Sequence, residues 1–201
     1  MKHCTTHHST KWLLEHNDNP SKAHGIEIYS YQEYIQLRNY WNGYGLILHE
    51  LCHIIHQFAL GLNHPTIKSM HKNMNRKKYH NVYRRDWYYT NKETIKDMAY
   101  ALTNHKECFA ELSVTYLCDF YKELDNKYDT FEACSPPFLK EERIRCCAIM
   151  VDVPHCNKFF PFTRGQLKNY DHETFRVMKC VWEDIALWRD DYVNVNMKSN
   201  F

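Results

Sequence analysis

From Tyr44 to Leu60 the chain reads YGLILHELCHIIHQFAL, and Ile47, Leu51, Ile54, Phe58 and then Leu62 follow at spacings of four, three, four and four. Such spacing keeps apolar side chains on one stripe of an α-helix, so this segment is expected to be helical and to lay that stripe on a core. Gly61 supplies a stop. The same helix carries His49-Glu50-Leu51-Cys52-His53, an HExxH pattern. Residues four apart stand one turn above each other, so His49 and His53 project from one face, opposite the apolar stripe, and can meet a single Zn²⁺. Glu50 beside them is placed to act as general base toward water polarised by that ion. The alternative is a pair of ordinary surface or core histidines, because a chain with 14 His produces HExxH by accident now and then.

A catalytic zinc of this type needs a third protein ligand and an open position. A third His through HExxHxxGxxH is ruled out, since His56 and Ala59 occupy the positions where Gly and the final His would stand. The remaining route is a Glu from a later helix, and the candidate is Glu107 in YALTNHKECFAE, residues 100–111. Glu107 and Glu111 are four apart on one helix face, so one could bind metal while the other accepts from a ligand His N–H. Asn104 followed by Glu107 also fits a capping box, in which Glu107 only satisfies the helix start. Spacing leaves both readings open.

The combination of HELCH with YALTNHKECFAE resembles the catalytic domain of anthrax-toxin lethal factor and its relatives, zinc metallopeptidases of the gluzincin type. The resemblance covers these two blocks and their order. It implies His49, His53 and Glu107 as zinc ligands, Glu50 as base, Tyr100 as the phenol that hydrogen-bonds the developing oxyanion, and Glu111 as support behind a ligand. The chain departs from that pattern at His105, Lys106 and Cys108, which bring cationic and soft side chains beside Glu107. Cys52 and Cys108 could compete for the metal; as free thiols both are expected to be small core fillers.

Elsewhere, Gly25–Ser30 alternates as a half-buried strand and is either the edge along which a peptide could pair or an ordinary interior strand. Tyr31–Tyr40 carries Tyr34, Leu37 and Trp41 at helical spacing. Two further helices are expected, over about His105–Tyr121 with Phe109, Leu112, Tyr116 and Phe120 inward, and about His172–Trp188 with Phe175, Met178, Val181, Trp182 and Ile185 inward. His64–Asn91 interleaves Lys72, Arg76, Lys77, Lys78, Arg84 and Arg85 with Tyr79, Tyr83 and Trp87. A solvated helix face with inward aromatic residues is favoured there over a nucleic-acid surface. Phe159–Arg164 either walls a specificity pocket or packs under a loop. His56 is read as a structural hydrogen-bonding residue, and His3, His7 and His8 as part of a loosely packed terminus.

Composition bounds the class. With 44% apolar residues, five Trp, fifteen Tyr and ten Phe, and only five Gly and six Pro, the chain can bury a core and is neither collagen-like nor disordered. A net charge of +2 selects no partner by bulk electrostatics. No apolar run approaches the length of a membrane helix, and no membrane or nucleic-acid partner is expected. The start MKHCTTHH lacks a signal-peptide core, which makes a cytoplasmic location the default and a secreted one the case only if an exporting segment is missing. Nine Cys include no CxxC pair, and Cys134, Cys146, Cys147 and Cys156 fall in an irregular inserted segment at about 122–157.

The expectation is therefore one α+β, zincin-like domain over 1–201: a small sheet, an active-site helix with HExxH, and a second helix carrying the Glu ligand. Its expected activity is hydrolysis of peptide bonds in a peptide or protein substrate with one catalytic Zn²⁺. The competing class is a non-catalytic zinc-binding protein that uses the same fold as an interaction module.

Overall fold

A computed structural model describes residues 4–7, 9–41, 45–74, 76–84, 95–117 and 157–198. The inserted segment at 122–157, apart from Asn157, and the Cys134–Cys156 group lie outside the described residues, as do Phe120 and Trp87.

The described chain is mostly helical, with two small antiparallel sheets. β1 (Cys4–Thr6) pairs with β2 (Ile26–Ile28) in the register Cys4 to Ile28 and Thr6 to Ile26. Between them lies α1 (Thr10–Glu15), whose Ser9 hydroxyl accepts from the Trp12 N–H as an N-cap. β3 (Val82–Arg84) pairs with β4 (Ile95–Asp97), and Arg84 meets Asp97 across that pair. The helices are α2 (Tyr31–Tyr40), α3 (Gly45–Ile55), α4 (Pro65–Asn73), α5 (Arg76–Tyr79), α6 (His105–Leu117), α7 (Arg164–Tyr170) and α8 (His172–Lys198).

α6 is the centre of the molecule. From Cys108 to Tyr116 every side chain is buried, which no one-sided stripe would produce, because α3, α4, α7 and α8 all pack on it. Phe109, Leu112 and Tyr116 are inward as their spacing predicts. Phe109 stacks on Trp182 of α8 at 5.9 Å between ring centres, and the Trp182 indole N–H donates to Ser113 Oγ. Burial of a ring the size of Phe109 contributes about 1.5–3 kcal/mol. On α8, Met178, Val181 and Ile185 turn inward, and the helix runs ten residues past the expected Trp188, to Lys198. Tyr79 and Tyr83 are buried while Lys72, Arg76 and Lys78 are exposed, which is the solvated face with inward aromatic residues.

The HExxH helix, α3, departs from its predicted orientation. Leu51 and Phe58 are 41% and 49% exposed, and the buried side consists of Gly45, Leu46, His49, Glu50, Cys52 and His56. The face bearing the histidines is thus the one packed inside, because its neighbour is α6 with its own two carboxylates, whereas the Ile47/Leu51/Ile54/Phe58 stripe is only partly covered. The helix ends early too. After Ile55 it loosens into a π-helical turn, His56–Leu60, and stops at Gly61 with φ of 79°, a left-handed value that Gly adopts without strain.

Candidate metal centre

α3 and α6 bring together residues 58 apart in sequence. His49 Nε2 lies 3.1 Å from His53 Nε2 and 3.0 Å from Glu107 Oε2, and His53 Nε2 lies 3.3 Å from the same oxygen. Four ligand atoms held tetrahedrally at roughly 2.0–2.1 Å from one ion stand about 3.3–3.4 Å apart, so this triangle has nearly the size of one face of a zinc site. Among the described residues, these three form the one group of His, Cys, Asp and Glu able to share an ion.

The local sequence explains the placement of Glu107. Asn104 Oδ1 accepts from the N–H groups of Lys106 and Glu107, so Asn104 caps α6. The Glu107 carboxylate is directed to the two histidines. Half of the predicted capping box is present, and the side chain that would complete it stands against His49 and His53 instead. His105 Nε2 donates to the Leu62 carbonyl at 2.9 Å and ties the start of α6 to the end of the π turn.

Charge makes the same point as distance. Burial alone would lower the His49 pKa, but contacts with Glu107 and Glu111 override it and raise it to about 10. Burial would raise the Glu107 pKa, yet the two imidazoles bring it down to about 2. Three carboxylates, Glu50, Glu107 and Glu111, act on one buried ring, and the pocket therefore calls for positive charge at its centre. A divalent cation answers that demand, and the two imidazoles and one carboxylate fit zinc. Glu111 is 1% exposed, with Oε1 2.9 Å from His49 Nδ1, at contact distance but outside hydrogen-bonding alignment.

A cleft of about 520 Å³ opens over these groups. Glu50 and Tyr100 line it together with His49, His53 and Glu107. Tyr100 sits in a short 3₁₀ turn, Tyr100–Leu102, ahead of α6, with its ring centre 6.2 Å from that of His49; burial, then Glu107, raises its pKa to about 12. All six residues singled out from the sequence are thus gathered at one place.

Other expectations change. β1, and not the Gly25–Ser30 strand, lines the cleft, through Cys4, Thr5 and Thr6. Cys4–His7 is ordered structure where a loose terminus was expected: His7 is buried and pairs with Glu27 at 2.6 Å. His56 is fully buried against Phe109, and neither ring nitrogen has a hydrogen-bond partner among the described residues, so it is a packing residue and makes no structural hydrogen bond. Burial, then the nearby His105, His53 and His64, lowers its pKa to about 4. Cys52 and Cys108 are buried fillers, the Cys108 thiol facing Met74 sulfur at 3.2 Å. Phe159, Phe160 and Phe162 all join the core, which is the packing reading, and Phe159 also lines the cleft.

Two lining residues, Trp41 and Lys158, carried no signal of a site in the sequence. Trp41 meets the His49 ring edge-on at 5.5 Å, a contact only the fold creates. Lys158 and Phe159 are brought in by Asn157, whose buried amide donates to Thr115 Oγ1 on α6 at 2.7 Å. Lys106 was visible as a departure beside Glu107, and it too lines the cleft. No protein-family model, curated protein or solved structure matches the chain.

Proposed function

We propose that this chain is a zinc-dependent metallopeptidase of zincin-like α+β fold, with His49, His53 and Glu107 as the protein ligands of one ion. The observation that carries the reading is the convergence of His49 Nε2, His53 Nε2 and Glu107 Oε2 to 3.0–3.3 Å beneath a cleft that also holds Glu50 and Tyr100. Zinc bound there supplies Lewis acidity toward a peptide carbonyl and toward water.

The remaining steps belong to the chain's own groups. Glu50 takes a proton from the attacking water and returns it to the leaving amine. The Tyr100 phenol donates to the carbonyl oxygen as charge builds on it, where a fixed donor stabilises the transition state more than the ground state. Glu111, buried behind His49, holds the ring with Nε2 turned to the cleft. Trp41 closes one side of that ring and limits its rotation.

Two features favour a catalytic centre over an interaction module. A closed structural site takes a fourth protein ligand, and none joins the three among the described residues. Glu50 also makes no hydrogen bond or ion pair among the described residues, yet it is held in the cleft at 8% exposure. The test is Glu50→Gln. The variant is expected to keep one equivalent of zinc and to lose peptidase activity by 10²-fold or more, roughly the range of general-base catalysis. Undiminished hydrolysis in that variant would sink the mechanism.

A further inference from the structure

We infer that Gln57 is a substrate-binding residue of this cleft, its carboxamide pairing with the main-chain N–H and C=O of a substrate residue that lies beyond His53. This rests on the peptidase reading above and names what the cleft recognises at that point: the backbone of the peptide, whatever side chain it carries.

Gln57 follows His53 by four residues, in the π turn that continues α3, and it lines the cleft together with His49 and His53. The chain itself therefore fixes its place relative to the metal centre. The cleft extends along the helix, with Trp41 and Leu46 lining it before His49, and Gln57 and Leu62 after His53. Side chains four apart on a helix stand about 5–6 Å from each other, and an extended peptide rises about 3.3 Å per residue, so Gln57 meets the peptide about two residues from the bond held at the centre.

The turn that carries Gln57 is not one that its own sequence demands. His56–Leu60 reads HQFAL, with neither Gly nor Pro to widen a helix, yet it is π-helical. Tertiary contacts hold it so. His56 is fully buried with its ring 4.8 Å from that of Phe109, and His105 Nε2 donates to the Leu62 carbonyl at 2.9 Å just past the turn. Such π turns within helices gather at functional sites. This one buries His56 and leaves Gln57, the next residue, half-buried at the cleft. Among the described residues the Gln57 carboxamide makes no hydrogen bond, so its oxygen and its N–H groups are not committed inside the protein.

A carboxamide offers a donor and an acceptor side by side. An extended residue shows its N–H and C=O on one side, as the hydrogen-bonded residues of an antiparallel pair do. The two patterns match with no charge on either partner, and the contact holds the peptide at the centre without selecting a side chain.

The experiment separates main chain from side chain. Zinc-loaded wild type digests random decapeptides, with Glu50→Gln marking background, and a peptide cut at one bond is remade as a set of analogues, each with one amide replaced by an ester. An ester lacks the N–H and is the weaker acceptor. Wild type is expected to lose roughly three- to tenfold in kcat/KM, through KM, on the ester about two residues from the cut, the range of uncharged hydrogen bonds that contribute equally to ground and transition states. Gln57→Leu and Gln57→Ala are expected to lose as much on the all-amide peptide and nothing further on that ester, with one equivalent of zinc and the wild-type circular dichroism retained. A wild-type KM in both variants, the same ester profile in variants and wild type, or loss of zinc from both variants overturns the inference.

Absence of Glu50-dependent cleavage would overturn the peptidase reading, and binding then decides this one alone. Glu50→Gln protein, with and without Gln57→Leu, is titrated with fluorescein-labelled random decapeptides and with the same mixture N-methylated along its backbone. Weaker binding of the methylated mixture, with the loss from Gln57→Leu confined to the unmethylated one, supports the backbone contact; equal binding of the two mixtures, or binding of neither, overturns it.

Discussion

Glu111 offers the sharpest quantitative test of the centre, because its task is separable from binding the ion itself. The carboxylate is 1% exposed and stands 2.9 Å from His49 Nδ1. A hydrogen bond to a charged group contributes about 1.5–3 kcal/mol, which is the upper bound for this close but misaligned contact. Glu111→Gln keeps the shape and an acceptor oxygen but removes the charge, and a neutral contact retains roughly half that strength. The loss of up to about 0.75–1.5 kcal/mol corresponds to zinc binding weaker by up to roughly three- to thirteenfold. Glu111→Ala removes the contact and leaves a cavity, and should weaken zinc by about 10–100-fold. Competition against a chromophoric chelator measures both constants, and thermal unfolding of the metal-free proteins controls for damage to α6. If Glu111→Gln bound zinc as tightly as wild type while its metal-free form gained stability, Glu111 would be a buried carboxylate with no stake in His49, and the reasoning would fail.

Two further perturbations probe the scaffold. Asn104→Ala removes the cap that fixes the first turn of α6, and should cost about 0.5–2 kcal/mol in urea unfolding while also weakening zinc, since Glu107 sits on that turn; full zinc affinity with the stability loss would separate the cap from the centre. His56 has a folded pKa of about 4 against 6.5 for an exposed imidazole. The unfolded chain binds the extra proton between those values, so stability is intact above about pH 6.5, falls as the pH drops toward 4, and levels below it. After discount for solvent screening the fall attributable to this ring is on the order of 2 kcal/mol. His56→Phe should flatten that part of the stability profile, and a variant with the wild-type slope would assign it to other groups.

What the sequence disclosed was local chemistry, and what it hid was which neighbour each face meets. HExxH and the Glu107/Glu111 pair are statements about one helix each, true wherever the helix packs, and α3 and α6 carry them as expected. The orientation of α3 was not of that kind. Its Ile47/Leu51/Ile54/Phe58 stripe is the more hydrophobic side, yet the burial of Leu46, His49, Cys52 and His56 against α6 outweighs it. Periodicity ranks faces by hydrophobicity and has no means of knowing that a polar face will be neutralised by carboxylates from 58 residues away. Strand pairing escaped for a related reason: at three residues each, β1 and β3 are too short to show a period. Trp41 and Lys158 reach the cleft only through tertiary contacts, Trp41 against His49 and Lys158 by way of Asn157 and Thr115.

The cleft is lined by Cys4 at one extreme and Phe159 at the other, with Trp41, His53 and Tyr100 between them. A cavity so assembled has high contact order: no contiguous stretch contains it, and its walls meet only after the early and late parts of the chain have docked. During synthesis the proposed zinc ligands and the proposed general base are all made before residue 158 exists, so a nascent chain carries these groups without the wall that completes the cleft. Competence to cut would therefore arise at the end of folding, and a chain halted before that wall is made would lack a complete cleft. On the proposed peptidase reading, late completion of the cleft keeps the reactive groups from acting before the chain has folded.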